Sequence, residues 1–506
     1  MLLLGIDIGT SAIKVSVVEA SSGKIVAATQ YPETETEIIS LQPGWAEQSP
    51  DAWWENVKQA ILKANASGSY NSLDISAIGI AYQMHGLVLV DKDQHVLRNS
   101  IIWCDSRSVE LGNEAFADLG EEKCFSSLLN SPGNFTASKL AWVKRNEPEI
   151  YSRIHKFMLP GDFISMKFTG EITTTVSALS EGIFWDFKSD KISTDVKEYF
   201  GFDENLYPVA RSLFSPHGFI KDSVAERLSL KKGIPVSYKA GDQLNNALAL
   251  NVMHPGEVAT TAGTSGVIYA VGNELTSDAQ SRVNTFAHLN HESANPRTGV
   301  LLCINGAGIS NRWLRELAGR HVDYHMLNHE AKRITAGAEG LMVIPFGNGA
   351  ERMLGNRIIG GHFHHLDFNR HSMAHLSRAV QEGIAFSFRY GLDIMRANGI
   401  EPGIIRAGRA NLFLSDVFTA AFVNATNVGV EFYEGDGSFG AAIGAGLGAG
   451  IYQSVEQALG SRKPLFTVDP DSSGEFEELY EQWKELLEQH LADATQNNTQ
   501  PVFNYK

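Results

Sequence analysis

The chain has 506 residues, enough for two or more hydrophobic cores, and its 43% hydrophobic and 20% charged residues are typical of a globular protein. Asp and Glu number 58 against 42 Lys and Arg, and the formal net charge of −16 argues against nucleic acid or an anionic membrane surface as a partner. The three cysteines have no C-x-x-C spacing, which excludes a disulfide framework and a structural zinc site.

The beginning of the chain carries no basic segment followed by a cleavage site, and the sequence contains no apolar run long enough to cross a bilayer. We therefore expect a soluble protein that works in the reducing cytoplasm.

Two segments about half a chain length apart each predict a β-hairpin with a polar, glycine-bearing turn. The first places Asp7-Ile8-Gly9-Thr10-Ser11 between Leu3–Ile6 and Ile13–Val18. The second places Gly263-Thr264-Ser265-Gly266 between Val258–Ala262 and Val267–Val271. The recurrence of Gly-Thr-Ser in matching contexts predicts a duplicated, two-lobed protein.

Further elements alternate between strands and helices in both halves of the chain. The predicted elements are a helix that Ser49 caps and Pro50 begins, strands over Ile75–Ile80 and Leu87–Val90, a helix over His371–Asn398 that Gly399 ends, and a helix over Glu475–Ala494 followed by a fraying stretch, Thr495–Gln500. This alternation predicts an α/β architecture with mixed sheets, and the two lobes should meet near residue 246.

The two turns are candidate phosphate sites, because backbone N–H groups and small hydroxyls bind anions and glycine allows close approach. One turn from each lobe could hold a polyphosphate from opposite sides. Asp7 is placed to hold a hydrated Mg²⁺, and Lys14 to neutralise phosphate charge. The alternative is that both are ordinary β-turns.

Asp242 follows a predicted strand, Val236–Gly241, and precedes a predicted helix, Leu244–Leu250. A carboxylate at the carboxyl end of a strand is placed to accept a proton from a hydroxyl in the crevice between two lobes. The alternative is a helix N-cap, a position that favours Asp.

Two other patterns are interpreted without a ligand. Gly435–Gly440 matches the G-x-G-x-x-G pattern of dinucleotide sites, but no βαβ unit follows it, so we expect helix–sheet packing by Gly440, Gly444 and Gly448. The histidines between His362 and His375 have only Asp367 as an additional ligand, which favours a solvated loop over a metal site.

Four motifs together resemble the FGGY carbohydrate kinases and, within them, the xylulose kinases. These motifs are Asp7–Ser11, Gln83–Gly86, Ala240–Gln243 and Gly263–Gly266. Supporting segments are Trp45–Gln48, Trp103–Arg107, Lys139–Trp142 and Arg378–Gly383. The resemblance spans the chain from Leu4 to about Gly450.

The resemblance implies two actin-like lobes of ribonuclease-H fold around a cleft that binds ATP and Mg²⁺. Residues 1–246 would form the lobe with the sugar and the first phosphate turn, and residues 247–506 the nucleotide lobe, with the last helix a candidate to pack back on the first. Asp242 would be the general base. The residues that would contact the sugar with it are Met84, His85 and Asp105. The phosphate turns would be Gly9-Thr10-Ser11 and Gly263-Thr264-Ser265, and a homodimer would be compatible with the family.

The sequence departs from the family in the segment expected to seat adenosine. Arg406-Ala407-Gly408-Arg409-Ala410-Asn411 stands where the family shows Gly-Gly-Gly-Ala-Arg-Ser, which leaves Gly408 and Arg409 as the candidate nucleotide contacts. A second departure places Asn134 where a small or aromatic residue is usual.

The sequence thus predicts ATP-dependent phosphorylation of D-xylulose at its terminal hydroxyl. Alternatives are a ribulose, glycerol or gluconate kinase of the same family, or a non-catalytic, actin-like nucleotide-binding sensor.

Overall fold

The structure, a computed structural model, describes residues 1–319 and 321–497, and it is built around two mixed β-sheets. In spatial order, the first sheet contains Val236–Gly241, Ile75–Tyr82, Leu2–Ile8, Ile13–Glu19 and Ile25–Tyr31. The second contains Asn284–Ala287, Thr298–Ile304, Gly266–Gly272, Glu257–Ala262, Ile404–Gly408, Val430–Tyr433 and Phe466–Val468.

The two sheets share one topology, which confirms the predicted duplication. In the first, Leu2–Ile8 pairs antiparallel with the next strand of its hairpin and parallel with Ile75–Tyr82. In the second, Glu257–Ala262 pairs antiparallel with its hairpin partner and parallel with Ile404–Gly408. In the first sheet, Val236–Gly241 is added parallel to Ile75–Tyr82, and Ile25–Tyr31 antiparallel to Ile13–Glu19. In the second, Val430–Tyr433 is added parallel to Ile404–Gly408, and Thr298–Ile304 antiparallel to Gly266–Gly272. This is the two-lobed, actin-like fold.

Helices cover the faces of both sheets, and their ends follow the local sequence signals. Ser49 caps helix Pro50–Ala66 by accepting a hydrogen bond from Ala52 N at 3.3 Å. Helix Met373–Ala397 is followed by Gly399, whose φ of 82° is the left-handed conformation that ends many helices. The other helices of eight or more residues are Val109–Leu119, Thr136–Asn146, Pro160–Thr169, Asp242–Ala249, Ala307–Ala318, Tyr324–Ala331, Asp416–Thr426, Gly437–Gly448 and Glu475–Asn497.

Shorter elements connect these parts. The short helices are Glu121–Lys123, Pro148–Tyr151, Val176–Glu181, Thr194–Phe200, Asp222–Arg227 and Val455–Leu459. Short strand pairs join Glu47–Gln48 to Ser100–Ile101, Val88–Val90 to Lys156–Met158, Thr173–Thr174 to Val209–Ala210, Trp185–Asp186 to Lys191–Ile192, and Met342–Phe346 to Gly360–His364. No helix among the described residues is both long and apolar enough to span a bilayer.

Helix Gly437–Gly448 returns from the second half of the chain to pack on the first sheet. A Cβ at Gly440 would lie 2.7 Å from the carbonyl oxygen of Asn245, and Cβ atoms at Gly444 and Gly448 would overlap the strand Val236–Gly241. The predicted helix–sheet packing is confirmed for Gly444 and Gly448, whereas Gly440 packs on helix Asp242–Ala249. A lobe boundary at residue 246 stays a prediction. It assigns helix Gly437–Gly448 to the second lobe, although this helix packs on the sheet of the first.

The last helix packs on the second lobe, which corrects the expectation that it could pack back on the first. Tyr480, Trp483 and Leu487 are buried in the core of the second lobe. Trp483 Nε1 donates to the carbonyl oxygen of Val343 at 2.8 Å. The helix extends to Asn497, beyond the predicted start of fraying at Thr495, and residues 498–500 lie outside the described part of the chain.

The two lobes also meet at the edge of the second sheet. The Asn130 side chain donates to Thr285 O at 2.6 Å and accepts from Thr285 N at 2.9 Å, which imitates a strand pair. Ala287 N donates to Ser180 Oγ at 3.0 Å. These bonds hold the strand Asn284–Ala287 against the first lobe, close to the cleft.

Candidate active site

The first predicted phosphate turn lies at the tip of the first hairpin. Thr10 Oγ1 accepts a hydrogen bond from Trp103 Nε1 at 2.9 Å and donates to Gln83 Oε1 at 3.3 Å. Gln48 Nε2 donates to Thr10 O at 2.8 Å. The main-chain N–H groups of Thr10 and Ser11 have no protein acceptor in the described part of the chain. The turn is therefore held by side chains while two donors stay available to an anion.

Asp7 lies between this turn and the start of helix Gly437–Gly448. A Cβ at Gly437 would overlap the Asp7 carboxylate, so only glycine fits there. Burial and the neighbouring Asp436 carboxylate raise the pKa of Asp7 to about 6, against a smaller lowering by Lys14. Lys14 Nζ is 3.7 Å from Asp436 Oδ2, on the rim of the cleft. The site therefore holds an excess of negative charge.

The second predicted phosphate turn is docked on the N-terminus of helix Ala307–Ala318. Gly308 N donates to Gly263 O, and Ile309 N to Thr264 O, both at 3.1 Å. Gly308 is required because a Cβ there would overlap the Gly263 carbonyl group. The N–H groups of Thr264 and Ser265 are without a protein acceptor among the described residues.

Asp242 is the first residue of helix Asp242–Ala249 and directly follows the strand Val236–Gly241. The N-cap is Gly241, so the alternative interpretation of Asp242 as the cap is wrong. Burial raises the pKa of Asp242 to about 7, and the negative charge of Asp7 adds to this shift. A carboxyl group with such a pKa exchanges protons near neutral pH.

Met84 and His85 follow the strand Ile75–Tyr82 and lie beside Gly241. A Cβ at Gly241 would lie 2.7 Å from Met84 Cγ, so Met84 forms an apolar wall directly beside the Gly241–Asp242 junction. The His85 ring packs edge-on against Phe135, with 4.9 Å between centroids, and 5.5 Å from Phe286 of the second lobe. Burial lowers the pKa of His85 to about 3, with a further contribution from Lys139.

Asp105 does not join this group. Its carboxylate is fully buried, accepts a hydrogen bond from Ala46 N at 2.5 Å, and forms an ion pair of 2.7 Å with Arg107 Nη2. Arg107 in turn lies 3.8 Å from the ring centroid of Trp45. The direct contact between Asp105 and a sugar hydroxyl stays a prediction; in this structure the Asp105 oxygens accept hydrogen bonds from protein donors.

The altered adenosine segment uses its arginines for protein contacts. Arg406 forms ion pairs with Glu257 at 2.9 Å and Glu431 at 2.8 Å. The Arg409 guanidinium lies over the Phe466 ring at 5.3 Å from its centroid, and Arg409 is exposed, so its contact with a nucleotide stays a prediction. Gly408 has open space where a Cβ would be.

The histidine cluster is only partly the expected loop: His365 and His371 lie outside helices and strands, whereas His375 belongs to helix Met373–Ala397. His362 and His364 belong to the strand Gly360–His364. His362 stacks on His490 of the last helix at 3.8 Å between centroids, and His364 Nε2 lies 3.0 Å from His490 Nε2. These rings hold the last helix on the second lobe.

Three residues near the cleft were missed as functional candidates. Glu181 and Lys139 are fully buried and both contact His85. Arg352 reaches from the second lobe to Phe135, 5.2 Å from its ring centroid, and donates to Ser131 Oγ at 3.3 Å. Only Lys139 had a signal, because it lies in a family-like segment; Glu181 and Arg352 are single charges without a periodic pattern.

The shared sheet topology defines a two-lobed α/β protein of the actin-like type. Residues 2–249 match the N-terminal domain of the FGGY family of carbohydrate kinases. The chain is 31% identical to a xylulose kinase of Escherichia coli over 402 residues, 79% of this chain and 80% of that protein. The chain belongs to the FGGY family of carbohydrate kinases and is an ATP-dependent sugar kinase.

Two solved structures show how far the likeness extends. A crystal structure described as a xyloylose kinase from Brucella ovis superposes with a TM-score of 0.86 at 26% identity, covering 97% of this chain and 100% of that one. A gluconate kinase from Lactobacillus acidophilus superposes with a TM-score of 0.87 at 20% identity, covering 98% and 99%. The second likeness shows the fold alone, so the fold does not select the sugar.

Proposed function

We propose that this kinase transfers the γ-phosphoryl group of ATP to the terminal hydroxyl of a pentulose, that the pentulose is D-xylulose, and that Asp242 is the general base. The observation that carries the proposal is the position of Asp242: it begins a helix at the carboxyl end of a parallel strand, directly after Gly241, which lies against Met84, and the negative charge of Asp7 contributes to its raised pKa.

Asp242 accepts the proton that the sugar hydroxyl loses as it attacks phosphorus. A pKa of about 7 suits this role, because the carboxylate is available at neutral pH and still basic enough to take the proton. Little further covalent chemistry is needed, since phosphoryl transfer depends chiefly on positioning and on neutralising the charge of the transferred group.

The two turns bind the phosphates of the nucleotide. The N–H groups of Thr10, Ser11, Thr264 and Ser265 supply donors from opposite lobes. Lys14 adds positive charge at the rim, and Gly408 leaves room for a ligand at the end of its strand. Closure of the lobes around both substrates excludes water, whose attack on ATP would compete with the sugar.

The residues present fit a magnesium ion. Asp7 offers oxygen ligands, and its pKa of about 6 reflects burial next to a second carboxylate, a charge excess that a divalent cation would balance. Asp7 would hold Mg²⁺ through water, and the ion would supply neutralisation of phosphate charge.

The sugar lies against Met84 and His85. Met84 limits its length on the apolar side, and His85 offers one ring nitrogen to a hydroxyl. The name of the Escherichia coli relative, a xylulose kinase, supports xylulose as the sugar. Because a gluconate kinase has the same fold, gluconate is included as an alternative substrate in the test.

A substrate panel tests the proposal. Purified enzyme with ATP and Mg²⁺ is given D-xylulose, D-ribulose, L-ribulose, glycerol and gluconate in turn, and ADP release is measured. We expect the highest kcat/KM with D-xylulose. A higher kcat/KM with another compound would overturn the sugar assignment. If none of the five compounds increases ADP release, the result would favour a nucleotide-binding sensor.

A further inference from the structure

His85 has an unusual backbone that two helices hold in place. Its φ is 61°, in the left-handed region that side chains other than glycine rarely occupy. Lys139 Nζ, from helix Thr136–Asn146, donates to His85 O at 2.9 Å. His85 N donates to Glu181 Oε1, at the end of helix Val176–Glu181, at 3.1 Å. Such a conformation persists where the surroundings determine it.

Glu181 also determines which ring nitrogen of His85 carries the proton. His85 Nδ1 lies 3.1 Å from the main-chain oxygen of Glu181. A carbonyl oxygen only accepts hydrogen bonds, so Nδ1 must be the donor and the neutral ring carries its hydrogen there. Nε2 then holds a lone pair and has no protein partner among the described residues.

The charges around the ring keep it in this form. Burial lowers the pKa of His85, and Lys139 and Arg352 lower it further, to about 3, so the imidazole stays neutral at working pH. Burial and the charge of Asp242 raise the pKa of Glu181 well above its ordinary value. The bond from His85 N requires only an oxygen acceptor, which Glu181 supplies whether or not it is protonated.

We propose that Glu181 is a positioning residue for sugar recognition: its side chain fixes His85 in the left-handed conformation and its main-chain oxygen selects the Nδ1–H form, so that Nε2 accepts a hydrogen bond from a sugar hydroxyl. This rests on the proposed binding of a sugar at His85. It adds a selection rule, because Nε2 can pair with a hydroxyl but not with the keto oxygen of the substrate.

The first test compares Glu181→Ala with Glu181→Gln. Alanine removes the acceptor for His85 N, whereas the Gln carbonyl oxygen keeps it. We expect Glu181→Ala to raise KM for the sugar about tenfold, the equivalent of one lost hydrogen bond, with KM for ATP unchanged. Glu181→Gln should stay within about threefold of the unmodified enzyme. Equal sugar KM values for the unmodified enzyme and the folded alanine variant would overturn the proposal.

The second test uses pentuloses that lack one hydroxyl each. One deoxy sugar should lose about tenfold in kcat/KM with the unmodified enzyme, because Nε2 is left unpaired. The same sugar should lose little more with Glu181→Ala, since the two changes remove one interaction. Additive losses for every deoxy sugar would contradict the proposal. If the alanine variant does not fold, Glu181→Leu, which also removes the acceptor for His85 N but keeps most of the side-chain volume, is measured in its place with the same expectations.

The third test does not depend on activity. Nitrogen NMR of ¹⁵N-histidine-labelled enzyme, with His85→Gln to assign the signal, should show a neutral His85 with its hydrogen on Nδ1. A hydrogen on Nε2 would overturn the inference even if the enzyme is an active kinase. If no pentulose is phosphorylated but the Nδ1–H form is observed, the proposed function fails while the assignment of the ring hydrogen to Nδ1 by the Glu181 main-chain oxygen stands.

Discussion

The raised pKa of Asp242 predicts that activity falls on the acid side of neutrality. The general base must be ionised to accept the hydroxyl proton, and a pKa raised to about 7 means that the group protonates at a higher pH than an ordinary Asp. One pH unit below the pKa, about a tenth of the enzyme is ionised, so kcat/KM should be about tenfold below its plateau near pH 6. Activity should rise with pH and level off above about 8.

The negative charge of Asp7 contributes to the raised pKa of Asp242, so a variant of Asp7 tests the same prediction. Asp7→Asn removes the like charge, so the acid limb should move to lower pH. Because burial is the larger cause, the apparent pKa should remain above the model-compound value of 3.8. The plateau value of kcat/KM will also fall if Asp7 binds Mg²⁺. The pH at which kcat/KM reaches half of that plateau does not depend on the plateau value.

The assay is coupled ADP release between pH 5 and 9 at constant ionic strength, with excess Mg²⁺ and both substrates well below KM, so that the profile reports the free enzyme. Circular dichroism at each pH excludes unfolding. A profile that is flat to pH 5 would refute the role of Asp242 as a buried general base. A limb that stays in place or moves upward in Asp7→Asn would refute the coupling between the two carboxylates.

Three further predictions follow from the packing and the turns. Gly448→Ala places a methyl group against the Ser237 carbonyl group and should lower the free energy of unfolding, measured by urea denaturation, by about 1–3 kcal/mol or more. The control Gly403→Ala, whose Cβ would lie 4.0 Å from the nearest atom, should leave it unchanged. Equal stabilities of the two variants would contradict the packing of the returning helix. Thr264→Val should raise KM for ATP about three- to tenfold and leave the sugar KM unchanged, and an unchanged ATP KM would contradict the role of the second turn. Asp105→Ala leaves the buried Arg107 with only Glu47 of its two ion-pair partners at 2.7 Å and should lower the free energy of unfolding by about 3 kcal/mol without changing the order of preference among sugars. A changed order with unchanged stability would support the direct sugar contact expected from the sequence.

Local sequence signals were sufficient for most of the fold. The Ser49 cap, the periodic helix before Gly399 and the repeated hairpins depend on contacts between near neighbours, and all three are confirmed. The position of helix Gly437–Gly448 depends on long-range packing, so its return to the first sheet could not be read from its periodicity. The last helix was misplaced for the same reason, since an amphipathic pattern shows that one face is buried but not what covers it.

The candidate site divides along the same line. The two turns and the position of Asp242 follow from motifs within single strand–turn or strand–helix units. The ion pair between Asp105 and Arg107 and the packing of Arg409 on the Phe466 ring join residues that only the folded chain brings together. Glu181 was missed because its role arises from a contact with His85 across the first lobe, and one acidic residue at a helix end carries no sign of such a partner.

The most direct test of the central claim is sugar-dependent ADP release by Asp242→Asn. The amide keeps the size of the side chain but cannot accept the proton, so kcat with D-xylulose should fall by about 10²–10⁴-fold while both substrates still bind, as measured by calorimetry. Turnover close to that of the unmodified enzyme, with binding intact, would contradict the account.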